Sequence, residues 1–146
     1  MEERRDRFAE RFSDTLARSG WPRMSARIFA TLMATPDGVR TASELSKALG
    51  VGASAISNGA KMLRTVGLVD VTRNNNRQIS YEVRPQAWME AVAHRDRDLR
   101  DLEEVLAEGA RAAEPRVAAR LAETADFFAY LRAELPHIVD RWRASR

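Results

Sequence analysis

Apolar and polar positions alternate along this chain with two different periods. Residues 2 to 18 place Phe8, Phe12 and Leu16 at steps of four, so an amphipathic helix with one apolar face is expected there, ended by Gly20. A second helix should begin at Pro22, because proline suits a first helical turn, and run through RMSARIFATLMAT with Met24, Ile28, Leu32 and Phe29 facing inward. Pro36, Asp37 and Gly38 read as a turn. In TASELSKALG, Thr41 stands three residues before Glu44, a capping-box spacing, and Gly50 is placed to stop the helix. A fourth helix, ASAISNGAKMLRTV, runs to Gly67.

The period then drops to two. Val69, Val71, Ile79, Tyr81 and Val83 line one face of two short strands, and the intervening RNNNRQ reads as a turn, since asparagine tolerates left-handed angles and bonds its own main chain. Helical periodicity returns after Pro85. One unusually long helix is expected from there to about Ala113, carrying Trp88, Val92, Leu99, Leu102 and Leu106. Pro115 starts another, with Val117, Leu121, Phe128, Leu131 and Leu135, which Pro136 should kink or break.

Two helices joined by the tight Gly50-Val51-Gly52 turn match a helix-turn-helix, whose second helix enters the major groove. Projected at about 100° per residue, the second helix gathers Ile56, Gly59, Ala60, Leu63 and Val66 on one side. Ser54, Ser57, Asn58, Lys61 and Thr65 gather on the other, which holds no carboxylate. Serine and asparagine hydrogen-bond base edges, and lysine neutralises phosphate. The hairpin that follows would be a wing, with Asn74, Asn75 and Asn76 in its turn and Arg73 and Arg77 within reach of phosphates or a minor groove. Arg40, Thr41, Ser43 and Arg64 are assigned to the DNA backbone.

Charge sharpens this picture. The net charge of +3 is unevenly spread: residues 40 to 84 hold seven basic and three acidic groups, whereas residues 1 to 39 are nearly balanced and residues 85 to 146 are net acidic. A basic middle segment on a neutral or acidic scaffold suits a polyanion-binding surface. Cysteine is absent, which excludes disulfides, thiolate catalysis, thiol redox sensing and thiolate metal sites. The two histidines, His94 and His137, have no ligand-spaced partner, and no pair of carboxylates is singled out by spacing, so no metal, cofactor or enzymatic activity is expected. The N-terminal MEERRDRFAERF lacks the apolar core of a secretory signal, and no apolar run is long enough to cross a bilayer, which points to the cytoplasm and away from membranes.

The segment from Gly20 to Val83 resembles the MarR superfamily of bacterial transcription regulators. It is most similar to the GbsR-like branch, through Gly20 to Met24 (GWPRM) and Leu63 to Val69 (LRTVGLV). Two positions depart from the helix-turn-helix pattern, Ser46 where alanine is usual and Gly52 where serine usually caps the recognition helix. The resemblance implies a mainly α protein with a small β-hairpin wing. Its expected organisation is an N-terminal dimerisation helix over 1 to 19, a winged helix-turn-helix DNA-binding domain over 20 to 84 and a C-terminal helical dimerisation region over 85 to 146.

Long two-faced helices cannot all be buried against a small winged domain, so a homodimer is expected, in preference to a helical subdomain folded on itself. The implied function is regulation of transcription, as a repressor, by sequence-specific binding of a pseudo-palindromic double-stranded operator. A small-molecule effector is the implied releasing signal, with Phe12, Trp21, Trp88 and His94 as candidate lining, although aromatics at helical spacing also serve as core. A winged-helix protein-interaction module and a non-specific architectural DNA binder remain the alternatives.

Overall fold

The computed structural model describes residues 1–93 and 95–146; among them, seven helices and three strands form two units, residues 1–87 and 88–146. The stripe at steps of four near the N-terminus forms α1 (Glu2–Arg18), with Glu2 and Glu3 in its first turn and Arg18 in its last, each matched to the helix dipole there. Gly20 ends it at φ 105°, a left-handed angle that glycine adopts without strain. Helix α2 (Arg23–Ala34) follows, one residue later than expected, with Pro22 at its N-cap. Ala26, Ile28, Phe29, Ala30 and Leu32 of α2 are fully buried, and α1 packs against this helix. Phe12 and Trp21 stack obliquely on Phe29, with ring centroids 6.1 and 5.6 Å away.

Between α2 and the next helix lies a strand that the periodicity does not reveal, β1 (Val39–Thr41). Three residues are too few to display a period. The strand is defined by its partner, pairing antiparallel with β3 (Ile79–Val83) so that Thr41 faces Ser80 and Val39 faces Glu82. With β2 (Val69–Arg73) on the other side of β3, the sheet order is β1-β3-β2. Val69 and Tyr81 are buried and Val71, Ile79 and Val83 half-buried, the face expected from the alternation.

Helix α3 (Ala42–Leu49) opens with both bonds of the capping box: the Glu44 amide donates to Thr41 Oγ1 and the Thr41 amide donates to Glu44 Oε1, each at 3.0 Å. The Thr41 amide and then its hydroxyl hold the Glu44 carboxyl below the usual carboxylate range. Helix α4 (Ala53–Thr65) crosses α2 at Gly59, where a Cβ would lie 2.7 Å from Met24 Cγ and 2.8 Å from Ile28 Cδ1. The buried Ser25 hydroxyl donates to the Gly59 carbonyl at 2.7 Å and fixes the crossing. At the start of α4, Gly52 supplies no side-chain cap, its φ is −83°, and the space around an added Cβ is empty. Gly52→Ser should therefore raise stability by a few tenths of a kcal/mol, read as a higher denaturant midpoint with an unchanged m-value.

The second unit is built from α5 (Ala87–Ala93), which begins at the unit boundary, α6 (Asp96–Ala112) and α7 (Pro115–Ala144). The single long helix expected from Pro85 is thus two, α5 and α6, and the Arg95 amide donates to the Val92 carbonyl. Neither proline nor glycine marks this point in the sequence. Helix α7 is started by the Glu114 carboxylate, which accepts from the Val117 amide at 2.9 Å, and by Pro115 behind it. It pairs with α6, approaching closely at Gly109 and Leu121, and the Arg132 guanidinium reaches both Asp96 and Glu103.

Of the kink or break expected at Pro136, the break does not occur, and α7 runs through it. Proline removes one backbone bond, but the turns on either side are retained by packing. Arg132, one turn before, is tied to α6 by two carboxylates, and Val139, one turn after, is buried. Among the described residues no helix is long and apolar enough to cross a membrane.

Candidate nucleic-acid interface

The turn between α3 and α4 is held from three directions. Gly50 takes a left-handed φ of 66°, the Val51 amide returns to the Ser46 carbonyl, and the Ser46 hydroxyl donates to the Val51 carbonyl. Serine in place of the usual alanine thus has a structural task, that of tying the turn. From behind, Arg27 of α2 donates to the Leu49 carbonyl at 3.0 Å. Helix α4 is therefore presented at a fixed angle, with Ile56, Gly59, Ala60 and Leu63 buried beneath it.

Ser54, Ser57, Asn58, Lys61 and Thr65 are all exposed, together with Arg64, and α4 contains no acidic residue. No carboxylate among the described residues pairs with Lys61 or Arg64. Thr65 is partly occupied, its hydroxyl donating to the Lys61 carbonyl at 2.9 Å. The exposed face has the donors, acceptors and positive charge that base edges and phosphates require, and no carboxylate among the described residues pairs with it.

The wing is organised by one of the three asparagines. Asn74 Oδ1 accepts from the Asn76 and Gln78 amides, both at 2.9 Å, while its Nδ2 donates to Gln78 Oε1 at 3.0 Å. The Asn74 carbonyl accepts from the Arg77 amide at 3.0 Å, and Arg77 takes φ 61° to close the loop. Asn74 is consumed in building the turn, while Asn75 and Asn76 are exposed and Arg73 and Arg77 are without a carboxylate partner among the described residues. A non-glycine residue at φ above zero costs on the order of 1 kcal/mol. At this tip glycine would relieve that cost and forfeit the guanidinium.

The remaining positions assigned from sequence fall elsewhere. Ser43 is exposed in the first turn of α3, whereas Thr41 is engaged in the capping box and Arg40 donates from Nε to Thr35 Oγ1 at 3.1 Å, half-buried in a groove beside α1 and α2. Of the proposed ligand-pocket residues, Phe12 and Trp21 pack on Phe29, Trp88 lies in the other unit with 47% of its surface exposed, and His94 lies outside the described residues. The sizeable concavity of the first unit, about 540 Å³, is lined by neither aromatic. It lies between α1, α2, β1 and α3. Sequence reading passed over it because its residues are a charged helix face that looks merely solvated.

Comparison with known proteins found two likenesses, one to the C-terminal helices and one to the fold. Residues 86–145 match the family model of MmpR5-like MarR family transcriptional regulators, a description that differs from the GbsR-like branch. A crystal structure of a transcriptional regulator matches 97% of this chain and 99% of its own at a TM-score of 0.87, with 24% sequence identity. No curated protein matches. The chain thus carries a winged helix-turn-helix fold, and its last three helices, α5 to α7, are similar to those of MarR-type regulators.

Proposed function

We propose that the protein is a MarR-type transcription regulator, a cytoplasmic DNA-binding protein and not an enzyme. It binds a specific pseudo-palindromic operator as a homodimer, acts as a repressor and is released by a small-molecule effector. The observation that carries this reading is the outward face of α4, exposed, free of carboxylates and set in the same unit as a wing that carries Arg73 and Arg77, neither of them paired with a carboxylate among the described residues. The motifs Gly20 to Met24 and Leu63 to Val69 favour kinship with the GbsR-like branch.

The dimer is supported by the second unit. Among its described residues only Ala91, Ala125 and Val139 are buried, and Phe127, Tyr130, Ile138 and Trp142 form an exposed apolar stripe along α7. Such a stripe on a two-helix hairpin requires a covering surface, and a second copy supplies one with closed symmetry. Light scattering at micromolar concentration should give twice the 16.4 kDa chain mass. A monomer would remove the basis for paired half-sites.

Two recognition helices related by a two-fold would read half-sites about one helical turn apart, ~10 base pairs. The direct test is to incubate the protein with sheared genomic DNA at near-physiological salt and sequence what is retained. An enriched inverted repeat is the expected result. Retention without a common sequence would favour an architectural DNA binder, and no retention a protein-interaction module.

A further inference from the structure

The geometry points to the groove beside α1 as a binding site for a small zwitterion, with a carboxylate at its floor and a cationic group at its rim. The inference rests on the regulator reading only in making that molecule the effector; binding itself stands without DNA.

The floor is basic and hydroxylic. Arg5, Arg27 and Arg40 line it half-buried, and no carboxylate among the described residues pairs with any of them. Arg27 and Arg40 each spend one donor on a neutral acceptor, the Leu49 carbonyl and the Thr35 hydroxyl, which leaves further N–H groups of each guanidinium for an anion. Ser13 adds an independent sign. It is 5% exposed, lines the same groove, and its hydroxyl has no hydrogen-bond partner, a condition that buried polar atoms rarely keep. A bound carboxylate would accept from the guanidiniums together, and the enclosed Ser13 hydroxyl would join them by turning toward the groove.

The rim has the opposite sign. Glu2, Asp6, Glu10 and Asp14 stand at steps of four on α1, all exposed and all lining the groove; Arg23 pairs with Asp14 at 2.7 Å, and the other three have no cation partner among the described residues. Like charges at this spacing repel along a helix by a few tenths of a kcal/mol per pair. A cation seated at the rim offsets that repulsion. A volume of about 540 Å³ accommodates a molecule of amino-acid size with water.

The test uses the full-length protein without DNA, titrated with a chain-length series of ω-amino carboxylates and with the matching carboxylates and alkylammonium ions. Binding is followed by amide chemical shifts and thermal unfolding. The best zwitterion should bind about tenfold tighter than either single-charge analogue, one added charge-assisted bond, and shift the amides around Ser13 and Arg27. The exposed double variant Asp6→Asn/Glu10→Gln should erase the zwitterion's advantage over the carboxylate, and Arg40→Gln should weaken both. Shifts confined to other regions, equal affinity for all three classes, or no binding at millimolar concentration would overturn the site. A protein that still binds its operator while the groove stays silent would leave the regulator reading intact, so the two can fail separately.

Discussion

Valine at Gly59 is expected to destabilise the protein by about 3 kcal/mol, read as a shifted denaturant midpoint. The cause is local and steric: the new Cβ alone would lie 2.7 Å from Met24 Cγ and 2.8 Å from Ile28 Cδ1, both on a helix whose Ile28 and Phe29 are fully buried. Met24 is flexible and half-buried and can yield, but Ile28 is fixed by packing on every side. Moving α4 away instead would stretch the 2.7 Å bond from Ser25 to the Gly59 carbonyl and leave a buried hydroxyl unsatisfied. Alanine meets the same contacts but recovers about 1 kcal/mol of helix propensity, so its net cost should be visibly smaller. Either substitution tilts the surface on which Ser57, Asn58 and Lys61 stand, so DNA affinity should fall with stability in a graded series. If valine is tolerated within about 0.5 kcal/mol, α4 does not sit on α2 as described.

That crossing also shows which parts of the fold are legible in the sequence. The buried face of α4 follows from an angular projection, since Ile56, Gly59, Ala60 and Leu63 share one side whatever lies beneath it. The cap of α3 and its stop at Gly50 are equally local, written in Thr41, Glu44 and a glycine whose φ is positive. The strand β1 is not local. Val39 to Thr41 acquire their identity by pairing with residues about forty positions later, and three residues carry no period of their own. The break offered at Pro136 errs in the other direction, as a strong local signal for ending a helix overruled by the anchoring of Arg132 and the burial of Val139 on either side of it.

The candidate interface divides along the same line. Exposure of the polar face of α4 could be foreseen residue by residue, but the separate tasks of the three asparagines could not. Asn74 builds the turn through three side-chain bonds, whereas Asn75 and Asn76 are left outward, a distinction that depends on backbone angles no composition reveals. Arg40 likewise reads as one more basic residue near the helix-turn-helix. Its bond to Thr35 and its place in the groove come from β1, the strand that periodicity does not show.

Replacing Lys61 and Arg77 together by alanine is expected to weaken operator binding about a hundredfold, the loss of two charge-assisted contacts, while fold and oligomeric state are retained. Both side chains are exposed and neither holds a carboxylate among the described residues, so their removal leaves nothing unsatisfied within the protein. Alanine at position 77 still has to adopt φ 61°, so the wing keeps its turn and roughly its strain. If each side chain neutralises one phosphate per protomer, the slope of log affinity against log salt should become shallower by about 1.8 per half-site. The charge-preserving pair Lys61→Arg/Arg77→Lys separates electrostatics from shape, because it should restore the slope and most of the affinity. Fluorescence anisotropy on the enriched operator at several salt concentrations measures both quantities. An alanine variant that binds like the parent, with an unchanged slope, would place the DNA on some surface other than α4 and the wing.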